Sequence, residues 1–211
     1  MPPSSAGRLL PLALASCVML AAVGGVWVYL ESDSGPTEFA RQTPAVGEAA
    51  PALTLRDVDG AECKLCGVRR RPLVVEFGSA TCVECVLGQF ERREALAREF
   101  AERADFVFVY CREASPGRAI GAMAMNSGPP PGQTYSWAER AERARAFRKA
   151  MGVSRRVLID DGDDGAQSAY GGRDNPCIVI GADGRIAFKQ AQTDPRELRH
   201  FLERHPRSDP Q

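Results

Sequence analysis

The chain has 211 residues, and its 27 basic and 27 acidic side chains give a net charge of zero. This balance excludes the strongly basic surface that nucleic-acid binding needs, and it leaves no polybasic patch for a membrane surface. Apolar residues make up 44% of the sequence, enough for an ordinary folded core. Arginine outnumbers lysine 24 to 3, a bias that favours an origin in a GC-rich bacterial genome.

An uncharged, mostly apolar run of 22 residues occupies positions 9–30. It is long enough to cross the hydrocarbon core of a bilayer, which is about 30 Å thick. A basic residue precedes the run and acidic residues follow it, so the remainder is expected on the extracytoplasmic, periplasmic side. We predict a membrane anchor at 1–30 and a polar linker at 31–45; a cleaved signal peptide and a lipidated Cys17 are the alternatives.

Hydrophobic periodicity divides the remaining residues into short strands and helices. Alternating residues indicate half-buried strands, continuous apolar runs indicate buried strands, and apolar residues three or four apart indicate helices. In chain order, the predicted elements are strands at 52–56, 61–65 and 73–77, a helix at 83–103, a strand at 105–111, a helix at 136–150, a strand at 157–159, a hairpin of strands at 177–180 and 185–189, and a helix at 194–204.

The order of these elements is typical of a thioredoxin-like α/β fold. Strand, helix, strand, helix and strand come first, and a hairpin and a last helix follow. The parallel strands need right-handed crossovers and a sheet covered on both faces. We therefore predict a thioredoxin-like domain at 46–205, with an N-terminal β-hairpin extension, after a single transmembrane helix. Residues 206–211 form a tail.

Cys82 and Cys85 form a C-x-x-C pair between a predicted buried strand and a predicted long helix. The free N–H groups at a helix N-terminus stabilise an anion, so a thiolate is favoured at Cys82. Cys85 lies on the same helical face and can close a disulfide with it. We predict that Cys82 attacks and that Cys85 resolves the mixed disulfide.

Two other residues are predicted to belong to this centre. Glu76 lies in the apolar strand; under the helix, its carboxyl would have a raised pKa and could carry the proton of Cys85. A solvent-facing strand end is the alternative. Pro176 precedes the hairpin and would face the cysteines as a cis-proline that shapes the partner groove. A trans turn proline is the alternative.

A second C-x-x-C pair, Cys63 and Cys66, could pass electrons to the first. A structural disulfide or two small buried side chains are the alternatives, and a zinc site built from both pairs is another. Cys111 is predicted to be a core residue, and Cys177 is expected near the centre with its reactivity left open. We predict no cofactor and no bound metal.

The stretch 71–82, which reads RPLVVEFGSATC, resembles the iodothyronine deiodinases. In that family Arg-Pro-Leu-Val-x-x-Phe-Gly-Ser-Cys-Thr is followed by selenocysteine. The likeness continues at 106–116, with Tyr110, Glu113-Ala114 and Pro116, and at Glu139-Arg140 and Ala169-Tyr170-Gly171. Residues 46–55 are similar to membrane-tethered redoxins of the TlpA/AhpC type. The resemblance covers 46–204 and implies a thioredoxin-like redox enzyme.

Four residues depart from the deiodinase pattern. Cys82 replaces the selenocysteine of the family pattern, Ala80 a cysteine, Ser115 a histidine and Cys85 a proline. The first and third changes remove the selenol and the imidazole acid, whereas Cys85 restores a thioredoxin-type pair. We therefore expect a thiol-disulfide oxidoreductase acting on protein thiols or disulfides, or with a small thiol reductant. A deiodinase-like reductase or thiol peroxidase using Cys82 alone, and a non-catalytic metal-binding module, are the alternatives.

Overall fold

The computed structural model describes residues 39, 44–82, 85, 89–113, 136–160, 162–171 and 175–205. The chain divides into two compact units after Gly35, and every described residue belongs to the second. Within the described residues no helix is both long and apolar enough to span a bilayer. The anchor predicted at 9–30 and the tail at 206–211 lie outside these residues.

Seven strands and four helices form the described part of the domain. The strands are β1 (Thr54–Asp57), β2 (Glu62–Lys64), β3 (Leu73–Gly78), β4 (Asp105–Tyr110), β5 (Arg156–Ile159), β6 (Cys177–Ile180) and β7 (Ile186–Gln190). The helices are α1 (Phe90–Glu99), α2 (Trp137–Met151), α3 (Gly165–Ala169) and α4 (Pro195–Arg204). All seven predicted strands are confirmed within two residues at each end.

One sheet contains all seven strands in the order β2-β1-β5-β4-β3-β6-β7. Strands β3, β4 and β5 are parallel, and the pairs β1/β2 and β6/β7 are antiparallel hairpins at the two edges. The central strands are buried because each lies between two neighbours and under helices, which is why their sequences are continuous apolar runs. The predicted mixed α/β fold with an N-terminal hairpin is confirmed.

Alternate residues of β3 face two different parts of the core. Leu73, Val75 and Phe77 pack with residues of β1, β6 and the α3 region, including Tyr170. Val74 packs with α1 and α4 on the opposite face. Glu76 shares that opposite face, so a charged side chain lies inside a strand that is buried along its whole length.

The predicted helix at 83–103 is only partly correct. Cys85 has a helical conformation and α1 runs from Phe90 to Glu99, but Gln89 between them is not helical. The helix ends at Glu99, four residues before the predicted end at 103, and a turn follows. The neighbouring Gly88 in the sequence lowers helix propensity at the interruption. By contrast, the predicted capping box of Ser136 and Glu139 is confirmed at the start of α2.

Phe39 shows that the domain extends into the predicted linker. Its side chain is fully buried in the core with Tyr170. The ammonium of Lys189 lies 4.2 Å from the centre of the Phe39 ring and donates to the carbonyl of Pro44 at 3.1 Å. The domain therefore begins N-terminal to the boundary predicted at residue 46. Composition alone does not reveal that a single aromatic residue in a polar stretch is buried.

Candidate active site

The cysteine pair lies where the chain leaves the C-terminal end of β3. A tight turn follows the strand: Cys82 N donates to Ser79 O at 3.3 Å, and Cys85 N donates to Cys82 O at 3.0 Å. Cys82 and Cys85 are joined in a disulfide with their Cα atoms 5.2 Å apart. Cys82 retains 4% of its exposure and Cys85 none, so Cys82 is the more accessible sulfur.

A backbone donor is directed at the sulfur of Cys82. Cys85 N lies 3.3 Å from Cys82 Sγ. In the reduced pair such a donor stabilises negative charge on this sulfur, because an N–H bond to a thiolate is charge-assisted. The local geometry thus favours Cys82 over Cys85 as the attacking thiolate.

A buried polar cluster adjoins Cys82 through the residues that precede it. Glu113 accepts hydrogen bonds from Thr81 N at 3.1 Å, Thr81 Oγ1 at 2.8 Å and Tyr110 Oη at 2.6 Å. Tyr110 Oη also accepts from Ala80 N at 3.3 Å. Burial, and then the Glu113 carboxylate, raise the pKa of Tyr110 well above its usual range. These contacts fix the backbone just before Cys82.

The sequence reasoning did not assign a role to this cluster. Tyr110, Glu113 and Thr81 were noted only as residues within the two stretches that resemble the deiodinases. Their spacing of 32 residues between Thr81 and Glu113 carries no local signal, because β3 and β4 bring them together. The resemblance at 106–116 was the signal that could have identified them. Ser115, in the same stretch, lies outside the described residues.

Glu76 is buried beneath α1 with two arginines. Its carboxylate accepts from Arg155 Nη1 at 2.6 Å and Arg93 Nη1 at 3.4 Å, and all three side chains are at most 3% exposed. The solvent-facing alternative is therefore wrong. The predicted position in an apolar strand under the helix is confirmed, but two guanidinium groups that the prediction did not include lie against the carboxylate. The role itself stays a prediction.

Arg93 links this ion-pair cluster to the cysteine pair. Its Nη2 donates to Cys85 O at 3.1 Å, and its Nη1 also donates to Asn175 Oδ1 at 3.3 Å. Arg93 thus joins β3, the residue that would resolve a mixed disulfide, and the segment just before Pro176. No local pattern indicates this contact, since an arginine on a charged helix usually faces solvent.

Pro176 lies beside the end of β3. Its carbonyl accepts from Phe77 N at 3.1 Å, and the next residue, Cys177, pairs with Glu76 across the strands. The predicted cis conformation of Pro176 stays a prediction. Burial and the nearby Glu76 carboxylate raise the pKa of Cys177 well above its usual range, so its thiol is unreactive at neutral pH.

The predicted core position of Cys111 is confirmed. Its side chain is buried, and its Sγ donates to Gly78 O at 3.3 Å. Burial first, and then the carboxylate of Asp160, raise the pKa of this thiol well above its usual range. Cys111 therefore belongs to the packing beneath the cysteine pair rather than to its chemistry.

The second C-x-x-C pair lies on and after β2. Cys63 is on β2 at the sheet edge, and β1, β5 and β4 lie between it and β3 in the sheet. Cys66 follows β2, in the segment that turns towards the β6–β7 hairpin, where Arg69 N donates to Ala182 O at 3.0 Å. Both thiols are free rather than disulfide-bonded. Transfer of electrons from this pair to Cys82 stays a prediction.

Neither the acidic stretch at 160–165 nor the cysteines form a metal site in the described part of the chain. No group of three His, Cys, Asp or Glu side chains there is close enough to hold an ion. Asp160 instead accepts from Ala166 N and Gln167 N, both at 2.9 Å, and caps α3. The two histidines lie on α4 and directly after it, where the ring of His205 stacks on Phe201.

Comparison with known proteins identifies the family. The sequence profile described as iodothyronine deiodinase matches residues 10–206. The chain belongs to this family. The type II iodothyronine deiodinase of Sus scrofa is 32% identical over 162 residues, covering 71% of this chain and 58% of that protein. That of Petromyzon marinus is 35% identical over 153 residues, covering 68% and 51%.

The iodothyronine deiodinase family is one of oxidoreductases, and the resemblance inferred from the sequence is confirmed. The chain spans between half and three-fifths of the length of these relatives. Solved structures show the same fold: the exposed lipoprotein thioredoxin Etrx1 of Streptococcus pneumoniae has a TM-score of 0.53 at 15% identity, covering 74% of this chain and all of that one. A thiol:disulfide interchange protein of Chlorobium tepidum has a TM-score of 0.50 at 14% identity, covering 82% and 98%.

Proposed function

We propose that this protein is a thiol-disulfide oxidoreductase that cycles Cys82 and Cys85 between a dithiol and a disulfide. The observation that carries the proposal is the disulfide between these two cysteines at the C-terminal end of β3. The greater exposure of Cys82 and the backbone donor on its sulfur support its role as the attacking thiol.

The reaction proceeds by two thiol-disulfide exchanges. The Cys82 thiolate attacks one sulfur of a substrate disulfide, forms a mixed disulfide and releases the other sulfur as a thiolate. The Cys85 thiolate then attacks Cys82 Sγ, closes the intramolecular disulfide and releases the second substrate thiolate. Two electrons pass to the substrate, and the reverse sequence oxidises a substrate dithiol. The carbonyl of Cys85 is held by Arg93, which positions the resolving residue.

We further propose that the substrates are protein thiols or disulfides, or a small thiol reductant, and that residues 9–30 anchor the protein. The charge on either side of this run favours an extracytoplasmic domain. A bacterial, periplasmic location is consistent with the unequal use of arginine and lysine.

Family membership favours a second candidate, a reductase of deiodinase type. In this reaction the Cys82 thiolate alone attacks the halogen of an aryl halide, such as the iodothyronines named for the relatives; the carbon–halogen bond breaks, a sulfenyl halide forms and the aryl carbon takes a proton. With a peroxide, the thiolate attacks one oxygen, the O–O bond breaks, and a sulfenic acid and an alcohol form. A first external thiol then displaces halide or water and forms a mixed disulfide with Cys82, and a second thiol releases the Cys82 thiol and leaves as a disulfide with the first. The chain has no histidine near position 115 and no selenocysteine, so this candidate lacks two groups that the family pattern supplies.

The two candidate functions differ in whether they require Cys85. In the oxidoreductase, Cys85→Ser leaves Cys82 able to attack but removes the resolving thiolate, so mixed disulfides with partner proteins accumulate on non-reducing gels. Cys82→Ser should form none, and Cys66→Ser should behave as wild type. If Cys85→Ser forms no adduct and retains dehalogenase or peroxidase activity with an added thiol, the second candidate is correct and the first is wrong.

A further inference from the structure

A cavity of about 570 Å³ lies at the end of the sheet where the parallel strands begin. Its wall includes the first residues of β3, β4 and β5, which are Leu73, Asp105 and Arg156. The cysteine pair follows the last residue of β3, about 20 Å away along six residues of strand. The cavity is therefore separate from the candidate active site.

The wall of this cavity combines an apolar surface with arginines. Leu73, Ala97, Phe106 and Val107 contribute the apolar part. Four arginines and a single acidic residue also line it: Arg69, Arg98, Arg155, Arg156 and Asp105. A concave, mostly apolar wall with a few polar groups is typical of small-molecule sites, and this volume is in their usual range.

Three of these charges already have partners. Arg155 pairs with two buried glutamates, Arg156 pairs with Asp57 at 2.8 Å, and Asp105 pairs with Arg71 at 3.2 Å. Arg69 and Arg98 have no acidic partner among the residues that the structure describes. The cavity wall therefore carries a positive charge that the protein does not neutralise there.

Two of the arginines that line the cavity also have a guanidinium nitrogen without an acceptor. Arg155 Nη2 and Arg69 Nε are buried and have no hydrogen-bond partner in the described part of the chain. Most buried polar atoms in proteins are hydrogen-bonded, so such atoms need an explanation. An oxyanion accepts hydrogen bonds and donates none, which makes it the natural complement of a guanidinium group.

We propose that this cavity binds a small organic anion, with an apolar body against the alanine and β-strand side chains and a carboxylate or phosphate head near Arg69 and Arg98. Because much of the wall is apolar, we expect a bare inorganic ion to bind poorly. Because the wall carries an excess of arginine, we expect a neutral molecule of the same shape to bind poorly as well.

Cys63 provides a reporter, because it lines the cavity whereas Cys66 does not. The full chain in neutral detergent is treated with iodoacetamide, and the alkylation rate of each cysteine is measured by mass spectrometry. We expect 2-naphthoate or 2-naphthyl phosphate to slow alkylation of Cys63 at least fivefold at saturation and of Cys66 less than twofold. Whichever of the two compounds protects Cys63 more strongly shows whether the cavity prefers a carboxylate or a phosphate head group.

Two further probes each lack one feature of the proposed ligand: one has no charge and the other has no apolar body. 2-Naphthamide and inorganic phosphate should each slow the Cys63 reaction less than twofold. Equal protection by the amide would show a cavity that recognises only apolar bodies, and equal protection by inorganic phosphate would show an unspecific anion site. Either result, or no protection by any probe, overturns the proposal.

Arg98 allows a matched pair of variants on one helix. Arg98→Glu should weaken protection by the naphthyl anion about tenfold, because a charge-assisted contact is lost and a like charge is added. Arg92 is exposed on the same helix outside the cavity and donates to Gln89 Oε1 at 3.3 Å, and Arg92→Glu should change protection less than twofold. Equal weakening by both variants would indicate net charge alone and overturn the site. Arg98→Gln, with a smaller loss, provides a second test should Arg98→Glu not fold.

Discussion

Gly78, the last residue of β3, leaves room for the sulfur of Cys85. A Cβ atom at this position would lie 2.5 Å from Cys85 Sγ and 2.8 Å from Phe108 Cζ, and both distances are shorter than real contacts. Gly78 is therefore required by close approach rather than by an unusual backbone angle. It allows the fully buried Cys85 to pack directly against the strand.

Gly78→Ala is expected to destabilise the oxidised protein. Overpacking a tight core site typically costs 1–3 kcal/mol, so the free energy of unfolding in urea should fall by about 2 kcal/mol. Gly165→Ala is the control, because a Cβ there comes no closer than 3.4 Å to Asp163. Equal stability of Gly78→Ala and the control would mean that Cys85 does not occupy the position described.

Arg93 and Arg155 both form buried ion pairs with Glu76. Such a pair contributes little when it forms but is costly to break, because the buried carboxylates of Glu76 and Glu94 would then share the single guanidinium of Arg155. Arg93→Met should therefore lower the free energy of unfolding by about 3 kcal/mol, measured by urea denaturation. Arg92→Met, on the exposed face of the same helix, should change it by less than about 0.5 kcal/mol.

The contrast between these two arginines decides the interpretation. A loss with Arg93→Met no larger than with Arg92→Met would show that the buried charges are not coupled to the fold. The cysteine reduction potential should also shift in Arg93→Met and not in Arg92→Met, since only Arg93 donates to the Cys85 carbonyl.

At the scale of secondary structure, the contacts of Glu94 tie α1 to the segment before β5. Its carboxylate accepts from Arg155 Nε at 2.7 Å and from Ser154 N and Oγ at 2.9 and 2.7 Å. Burial alone would raise the pKa of Glu94, but Arg155 and Ser154 outweigh it and lower the pKa below its ordinary value of 4.5.

This lowered pKa predicts an acid-dependent loss of stability. Between the folded pKa and the ordinary value of 4.5 the unfolded chain binds more protons, so stability rises with pH in that interval. The contribution of Glu94 is complete above that interval and is lost as the pH falls through it. Denaturation followed from pH 3 to 7 should show a shallower acid limb for Glu94→Gln.

Glu91→Gln provides the control, because Glu91 is exposed in the first turn of the same helix. Its acid limb should match that of the wild type. If Glu94→Gln keeps the full slope, other carboxylates control the acid response and the assignment to Glu94 is wrong.

At the scale of the whole molecule, Phe39 is the first described residue that packs in the core of the domain. Deleting residues 1–30 should leave a folded, soluble protein of full stability, because the buried Phe39 is retained. Deleting residues 1–43 should lower the free energy of unfolding by about 3–5 kcal/mol, the usual cost of losing a buried phenylalanine. Thermal and urea denaturation of the two truncated proteins measure the difference.

Phe39→Ala in the longer protein separates the side chain from the backbone that carries it. It should reproduce most of the loss seen on deleting residues 1–43. Equal stability of both truncated proteins would contradict the burial of Phe39, and insolubility of the protein lacking residues 1–30 would contradict the single-domain interpretation.

The sequence by itself determined the strands, the capped helices and the position of the cysteine pair. Strands β3 and β4 are continuous apolar runs, and the capping box of α2 lies within four consecutive residues, so both signals are local. The C-x-x-C motif and the deiodinase-like stretch are local as well, since each depends on neighbouring residues in the chain.

Only the tertiary structure decided the surroundings of that pair. Glu113 meets Thr81, Arg93 meets Cys85 and Phe39 meets Tyr170 because strands and helices distant in the chain pack together, and no local pattern encodes such meetings. The separation of Cys63 from Cys82 has the same origin, because the strand order places three strands between them. The spacing of residues along the chain determines local conformation. The partner of a buried charge depends instead on which strands and helices pack together in the folded domain.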